Sequence, residues 1–219
     1  MRKIMFNDRF GLTEAVLSGK KTQTRRTCKH QRPDESYEVV FPAFSADDYD
    51  EQGNCKSPLY GAFGWRNEVG DFTGWNIPKY KVGEIVAVAQ SYESIFHSKH
   101  SPNDFLLDSS NMNPKYCGVA FNNKMFVRAD LMPHRIRITK VRIERLQDIS
   151  DEDCFHEGIY ANNSHEIGYG IPWVYEFANS KMAYYTPREA YAALIDRISD
   201  KSTWESNPWV FAYEFELID

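Results

Sequence analysis

Alternation of apolar and polar positions is clearest at the end of the chain. Between residues 209 and 217 every second position is apolar, and the intervening positions include Glu214 and Glu216. Because the side chains of a strand point alternately to its two faces, this pattern predicts a long β-strand with one face toward the core. A compact apolar run at residues 85–89, after a turn at 81–84, predicts a buried strand.

The alternation between residues 134 and 146 changes phase in the middle. Ile136 and Ile138 share one face, whereas Val141 and Ile143 follow in the opposite phase. One extra residue near Thr139 explains this slip, and a β-bulge inserts such a residue where a strand bends. The stretch is therefore predicted to be a bent strand.

Two helices are predicted around the segments that carry the most chemistry. The first covers residues 10–18, and Gly19 is suited to cap its end. Ser150 and the three acidic residues after it predict the start of a short helix, which Gly158 ends. Glu157 then falls in the last turn, where the helix dipole disfavours a carboxylate. The stability of the helix therefore does not explain why a glutamate occupies position 157.

A third helix begins where Thr186 and Glu189 form a capping box around a proline at the first helical position. The remaining chain contains three stretches with little periodicity and many Pro, Gly, polar or aromatic residues, at about 31–79, 98–124 and 160–185. We interpret these as insertions in a single domain that spans residues 1–219. Because its aromatic residues are costly to expose to water, the first insertion is expected to fold back onto the domain or to form a flap.

Charge is distributed unevenly along the chain. The formal net charge of −5 argues against a protein that coats nucleic acid indiscriminately. Residues 15–33, however, contain six basic side chains and no acidic one. Such a run is either a local positive patch or a solvated stretch without structure.

Composition also limits the cellular context and the cofactors. Charged residues throughout the first 20 positions leave no apolar segment for a secretory signal or a membrane span, so a cytoplasmic location without membrane association is expected. The four cysteines form no Cys-x-x-Cys pair, which argues against a zinc ribbon or a dense disulfide framework. No metal ion or other cofactor is expected, and the sequence does not identify a protein partner.

Lys21, Thr24 and Glu157 could supply the three roles of an acyl-transfer site. A buried lysine with a lowered pKa can act as a base, a threonine hydroxyl can then act as a nucleophile, and a carboxylate can shuttle the proton to the leaving group. In a regular strand Lys21 and Thr24 point to opposite faces, so they converge only if the strand starts after Thr22. The structural alternative is an ion-paired turn.

The basic segment, residues 19–26, also suits binding without chemistry. Arg25 and Arg26 can grip a phosphate or a base edge with two parallel hydrogen bonds, and Lys20 adds charge beside them. These three residues are candidates for ligand binding. Aromatic residues are more often core than ligand-binding, but four are candidates for stacking on a base: Trp65, Trp75, Tyr92 and Trp173.

The basic segment resembles the signature of the ASCH family, a Gly-x-Lys-x-x-(Glu or Thr)-x-Arg pattern after a short helix. The turn and strand at 80–88, the helix that starts at Ser150, and the closing strand after Trp204 follow in the order of that family. The resemblance implies an α+β fold built on a small PUA-like β-barrel, with two or three flanking helices and irregular insertions. It also implies a positively charged cleft that binds RNA.

Some small bacterial members of the family remove the acyl group of N4-acetylcytidine through a lysine, a threonine and a glutamate. Those positions correspond to Lys21, Thr24 and Glu157, although the hydrolases lack the large insertions of this chain. Two functions are therefore predicted: binding of RNA, a nucleotide or a modified nucleoside by the basic segment, or hydrolysis of an N-acylated nucleoside. A third alternative is an interaction domain whose aromatic insertions contact a protein.

Overall fold

The computed structural model describes residues 1–97, 122–163, 173–199 and 201–218. The strands of these residues are, in chain order, β1 (Lys3–Ile4), β2 (Gln23–Thr27), β3 (Glu38–Val40), β4 (Gly64–Arg66), β5 (Ile85–Val88), β6 (Arg135–Arg145), β7 (Tyr160–Asn163), β8 (Trp173–Glu176) and β9 (Trp209–Ile218). The main sheet has the order β1-β5-β6-β9-β2, while β3 pairs with β4 and β7 with β8. Only the pair β1–β5 is parallel among the described strands.

The helices of the described residues are α1 (Leu12–Leu17), α2 (Tyr92–His97), α3 (Asp151–His156), α4 (Pro187–Ile198) and α5 (Thr203–Ser206). The α+β class predicted from the sequence is thereby confirmed. The first helix is shorter than predicted, because Gly11 adopts a left-handed conformation with φ of 62° and separates α1 from a 3-10 turn at Asp8–Phe10. The capping box of Thr186 and Glu189 is present at the start of α4.

Strands β6 and β9 form the centre of the main sheet and confirm the strongest strand predictions. Their register shifts between Ile138 and Lys140, which confirms the predicted β-bulge. Ile136, Ile138 and Phe215 are buried in the hydrophobic core that this pair supports. Because β9 pairs with β2 on its other side, the bulged strand and the basic segment belong to one sheet.

The main sheet has two edges in the described part of the chain, β1 and β2. The described strands are not hydrogen-bonded into a closed barrel, because no pairing joins these two edges. The mixed sheet and its flanking helices are therefore what the structure establishes. The PUA-like barrel remains a prediction.

The predicted insertions contain regular structure that the sequence did not indicate. The first, residues 31–79, includes β4 and packs on the main sheet, with the ring centroids of Phe63 and Phe211 5.6 Å apart and those of Trp65 and Trp209 5.0 Å apart. The third contains the strand pair β7–β8. Strand β7 was not predicted because Asn162 and Asn163 are both polar, so its sequence shows no alternation of apolar and polar residues. Residues 98–121 of the second insertion, and 164–172 of the third, lie outside the described residues.

The helices of the described ranges include none that has both the length and the apolar character to cross a bilayer. Cys28, Cys55 and Cys154 are free thiols. Burial raises the pKa of Cys28 and of Cys154 to about 12 in each case. Thiols of this kind are protonated at neutral pH and therefore poorly nucleophilic.

Candidate functional site

The connection between α1 and β2 places Lys21 outside the regular strand. Gly19 follows the helix in a left-handed conformation with φ of 71°, which turns the chain back toward the helix. The backbone N–H of Lys21 then donates to the carbonyl of Ala15 at 2.8 Å. Strand β2 begins only at Gln23. The condition for Lys21 and Thr24 to lie on one side is therefore met.

Glu157 caps the C-terminal end of helix α3, which lies against the segment that contains Lys21. The Ser150 hydroxyl accepts a hydrogen bond from the Asp153 N–H at 3.1 Å and caps the start of the helix, as predicted. The N–H of Thr22 donates to the carbonyl of His156 at 2.9 Å, which fixes the end of α3 against the chain that precedes β2. Glu157 is the residue that follows this contact.

Lys21 and Glu157 form a buried ion pair. The Nζ of Lys21 lies 2.5 Å from Oε2 of Glu157 and donates a second hydrogen bond to its carbonyl at 2.8 Å. The two residues are only 2% and 4% exposed. Burial lowers the pKa of Lys21, because it removes the ammonium group from water, and the charge of Glu157 only partly opposes this effect.

Arg25 is the centre of a larger ionic cluster. Its guanidinium donates to Glu144 at 2.7 Å, to Asp153 at 2.7 Å and to Glu157 at 3.1 Å, and also to the side chain of Gln23 at 3.2 Å. Burial alone lowers the pKa of Arg25, but the negative charge of Glu157 is the largest of several contributions that raise it overall. The guanidinium predicted to bind a ligand is thus engaged by four side chains of the protein itself.

A cavity of about 230 Å³, which we call the inner cavity, brings the predicted catalytic residues together. Lys21, Thr24 and Glu157 all line it, and Tyr191 of α4 lines it as well. Thr24 is 5% exposed. A buried lysine amine, a carboxylate and a buried threonine therefore line one small cavity.

The other two predicted binding residues are on the surface. Arg26 is exposed and donates a hydrogen bond from Nη2 to the carbonyl of Met5 at 2.6 Å. This contact connects edge strand β2 with the chain that follows β1. Lys20 is exposed and does not line the inner cavity.

A second cavity of about 690 Å³, which we call the basic cavity, adjoins the inner cavity. Met5, Arg26 and Thr27 contribute to the walls of both. No described Asp or Glu lines the basic cavity, whereas four cationic residues do: Lys3, Arg26, Lys29 and Lys79. Aromatic rings also line it, and one of them belongs to the predicted stacking residue Trp75. The other stacking candidates do not line this cavity, and Trp65 is a core residue.

Sequence reasoning missed Tyr191 and the carboxylate partners of Arg25. Tyr191 lies three residues before Leu194, and such a spacing on a helix puts both side chains on one face. Asp153 precedes Glu157 by four residues, which brings both carboxylates to the side of α3 that faces Arg25. These helical spacings were visible in the sequence, but the contact with Arg25 was not.

The described residues contain no group of three or more His, Cys, Asp or Glu side chains arranged to hold a metal ion. Comparison of the chain with family models, with curated proteins and with solved structures finds no match. The functional argument therefore depends on the geometry of the two cavities.

Proposed function

We propose that this chain is an ASCH-type protein that hydrolyses an N-acylated pyrimidine nucleoside, such as N4-acetylcytidine, in the inner cavity. One observation carries the proposal: Lys21, Thr24 and Glu157 come from two distant segments and line the same enclosed space. The cavity is below the range of about 300–1,000 Å³ that drug-sized ligands occupy, so it suits the base and acyl group rather than a whole nucleotide.

The proposed fold is a PUA-like barrel in which the main sheet curls until its two edges approach each other. The Arg26–Met5 hydrogen bond between the edges supports this view. The rings of Phe6, just after β1, and Phe215 of β9 also lie 5.6 Å apart, so the sheet brings its first edge near its centre. Both contacts lie beside the inner cavity.

In the proposed reaction the Thr24 oxygen attacks the acyl carbonyl carbon while the neutral amine of Lys21 takes the hydroxyl proton. The tetrahedral intermediate then breaks its bond to N4, and protonated Glu157 gives a proton to the departing amine. This step leaves an acyl ester on Thr24. Water attacks that ester and gives a proton to the Glu157 carboxylate, while Thr24 recovers its proton from the Lys21 ammonium as the carboxylic acid leaves. Both groups thereby regain their starting protonation states, and the net reaction consumes one water molecule.

The Lys21–Glu157 pair is suited to this exchange because a single proton shared by the two groups gives either the ion pair or a neutral amine beside a carboxylic acid. The Nζ to Oε2 distance of 2.5 Å allows the proton to move directly between them. Burial favours the neutral arrangement, since it disfavours charged groups. The hydrogen bond from Arg25 to Glu157 acts in the opposite direction and stabilises the carboxylate.

The test is turnover of N4-acetylcytidine by the whole protein and by two variants of one residue. Thr24→Val keeps the shape of the side chain but removes the nucleophile, and turnover should fall by at least about 10³-fold. Thr24→Ser keeps a hydroxyl and should retain measurable turnover. Circular dichroism establishes that both variants are folded. Absence of turnover by the unaltered protein on acylated cytidines refutes the hydrolase proposal.

Binding of RNA or of a nucleotide is a second candidate, and the basic cavity favours it. Its cations have no acidic neighbours among the lining residues, and Trp75 and Tyr80 supply aromatic surface next to them. An anionic backbone beside a base is the chemistry that such a surface fits. Affinity for a labelled single-stranded RNA should fall steeply with added salt, and affinity that does not change with salt contradicts this candidate.

A further inference from the structure

Tyr191 presents a buried hydroxyl for which the protein supplies no partner. The residue lies on α4 and is 1% exposed, and its hydroxyl has no hydrogen bond with the described residues. Native proteins satisfy nearly all buried polar groups, so each exception calls for an explanation. Among the described residues, a buried polar side-chain atom without a hydrogen-bond partner also occurs in Trp65, Gln90 and Trp209. These three residues do not line the inner cavity, whereas Tyr191 does.

The surroundings of Tyr191 would suit a phenylalanine equally well from the standpoint of packing. Its ring meets Trp204 edge-on with centroids 6.1 Å apart, and Leu194 of the same helix lines the cavity beside it. Packing therefore explains the aromatic ring but leaves the hydroxyl without a role. A hydroxyl kept beside a cavity without a partner from the protein is what a site needs in order to bond a polar ligand atom.

The hydroxyl is held as a hydrogen-bond donor. Burial raises the pKa of Tyr191 well above its usual value, and the nearby charge of Glu157 adds to this effect while Arg25 partly opposes it. The phenol is therefore protonated across the whole neutral range. The two buried cations that line the same cavity are engaged by carboxylates, since Lys21 bonds Glu157 and Arg25 bonds three carboxylates.

We propose that Tyr191 is a further catalytic residue, which donates a hydrogen bond to the acyl carbonyl oxygen of the ligand in the inner cavity. This inference rests on the proposed function. When Thr24 attacks, the carbonyl π electrons move to that oxygen and it becomes negative, so the hydrogen bond strengthens in the transition state. Tyr191 keeps its proton throughout, and collapse of the intermediate returns the electrons to the carbonyl.

The experiment compares Tyr191→Phe with the unaltered protein and with Tyr184→Phe, a matched control in a half-buried tyrosine that does not line the inner cavity. Removing a donor of this kind lowers kcat by about 10²–10³-fold. The fall should appear in kcat with little change in KM, because the bond is strongest in the transition state. Tyr184→Phe should leave kcat unchanged.

Stability separates this role from a structural one. Because the hydroxyl of Tyr191 makes no bond within the described protein, Tyr191→Phe should unfold at the same urea concentration as the unaltered protein, or a higher one. A variant that loses both stability and kcat indicates a structural hydroxyl and overturns the proposal. Unchanged kcat in Tyr191→Phe overturns it as well, while turnover by the unaltered protein leaves the proposed function standing.

If the unaltered protein does not hydrolyse N4-acetylcytidine, the proposed function fails. Titration calorimetry with that nucleoside then tests whether Tyr191 donates a hydrogen bond to a ligand. Weaker binding by Tyr191→Phe than by Tyr184→Phe supports a hydrogen bond from Tyr191 to the ligand. Equal binding by the two variants, or no binding by any of the proteins, overturns the inference.

Discussion

Replacement of Arg25 by methionine is expected to destabilise the protein severely. The Arg25 side chain is fully buried, and its carboxylate partners Glu144, Asp153 and Glu157 retain only 16%, 19% and 6% exposure. The substitution keeps most of the volume but removes the only described cation that contacts all three carboxylates, and it leaves Glu144 and Asp153 with Arg142 and Glu157 with Lys21. Breaking a buried ion pair by removing one partner costs about 3–5 kcal/mol.

That cost is large compared with the total stability of about 5–15 kcal/mol that is usual for a folded protein. With a urea slope of about 2.5 kcal/mol/M, the midpoint of unfolding should fall by about 1–2 M. Arg137→Met is the matched control, since Arg137 pairs with Glu216 and the two side chains are 48% and 52% exposed. An exposed pair contributes about 0–1 kcal/mol, so the control should move the midpoint little.

The assay is urea unfolding followed by circular dichroism for the three proteins at neutral pH. Equal midpoints for Arg25→Met and Arg137→Met would refute the view that Arg25 is the centre of a structural cluster. If Arg25→Met kept its midpoint but lost affinity for RNA or a nucleoside, the ligand-binding role predicted from the sequence would be correct instead.

Two further predictions concern the charges of the cavities. Turnover should fall as the pH rises and the Lys21–Glu157 pair loses the single proton that it shares, because Glu157 then has no proton to give to the leaving amine. The fall should begin below pH 10.5, because burial lowers the pKa of Lys21. A steady-state rate profile checks this, and Lys21→Arg, which stays protonated, should be inactive at every pH. Lys29→Glu should weaken binding of labelled single-stranded RNA and reduce its salt dependence, whereas Lys56→Glu, exposed and outside both cavities, should change neither. A flat pH profile contradicts the first prediction, and equal effects of the two lysine variants contradict the second.

Local signals in the sequence were sufficient for the elements that carry the site. The phase change near Thr139 predicted the bulge, and the cap of Ser150 predicted α3, because each depends on a few neighbouring residues. The strand of residues 209–217 followed from strict alternation. The predicted position of α3 is confirmed, and β2 starts after Thr22, which is the condition that the sequence set for convergence of Lys21 and Thr24. Lys21 and Glu157 are accordingly brought together by the fold.

The roles of the basic residues could not be predicted, because they depend on contacts between distant segments. Arg25 and Arg26 are neighbours in sequence, yet Arg25 is buried among carboxylates while Arg26 is exposed. The alternation of β2 separates them, but only the fold reveals that Glu144 and Asp153 lie opposite Arg25. Net charge along a segment thus overestimated the positive surface that the segment offers to a ligand.

The cluster around Glu157 also answers the structural alternative of an ion-paired turn. The ion pairs are present, and they account for a carboxylate at the unfavourable end of α3, since Lys21 and Arg25 neutralise it. A purely structural cluster gives no reason for Tyr191, whose buried hydroxyl has no partner among the described residues, to line the cavity beside it. A ligand with a polar reacting group gives that reason, because it supplies the missing partner.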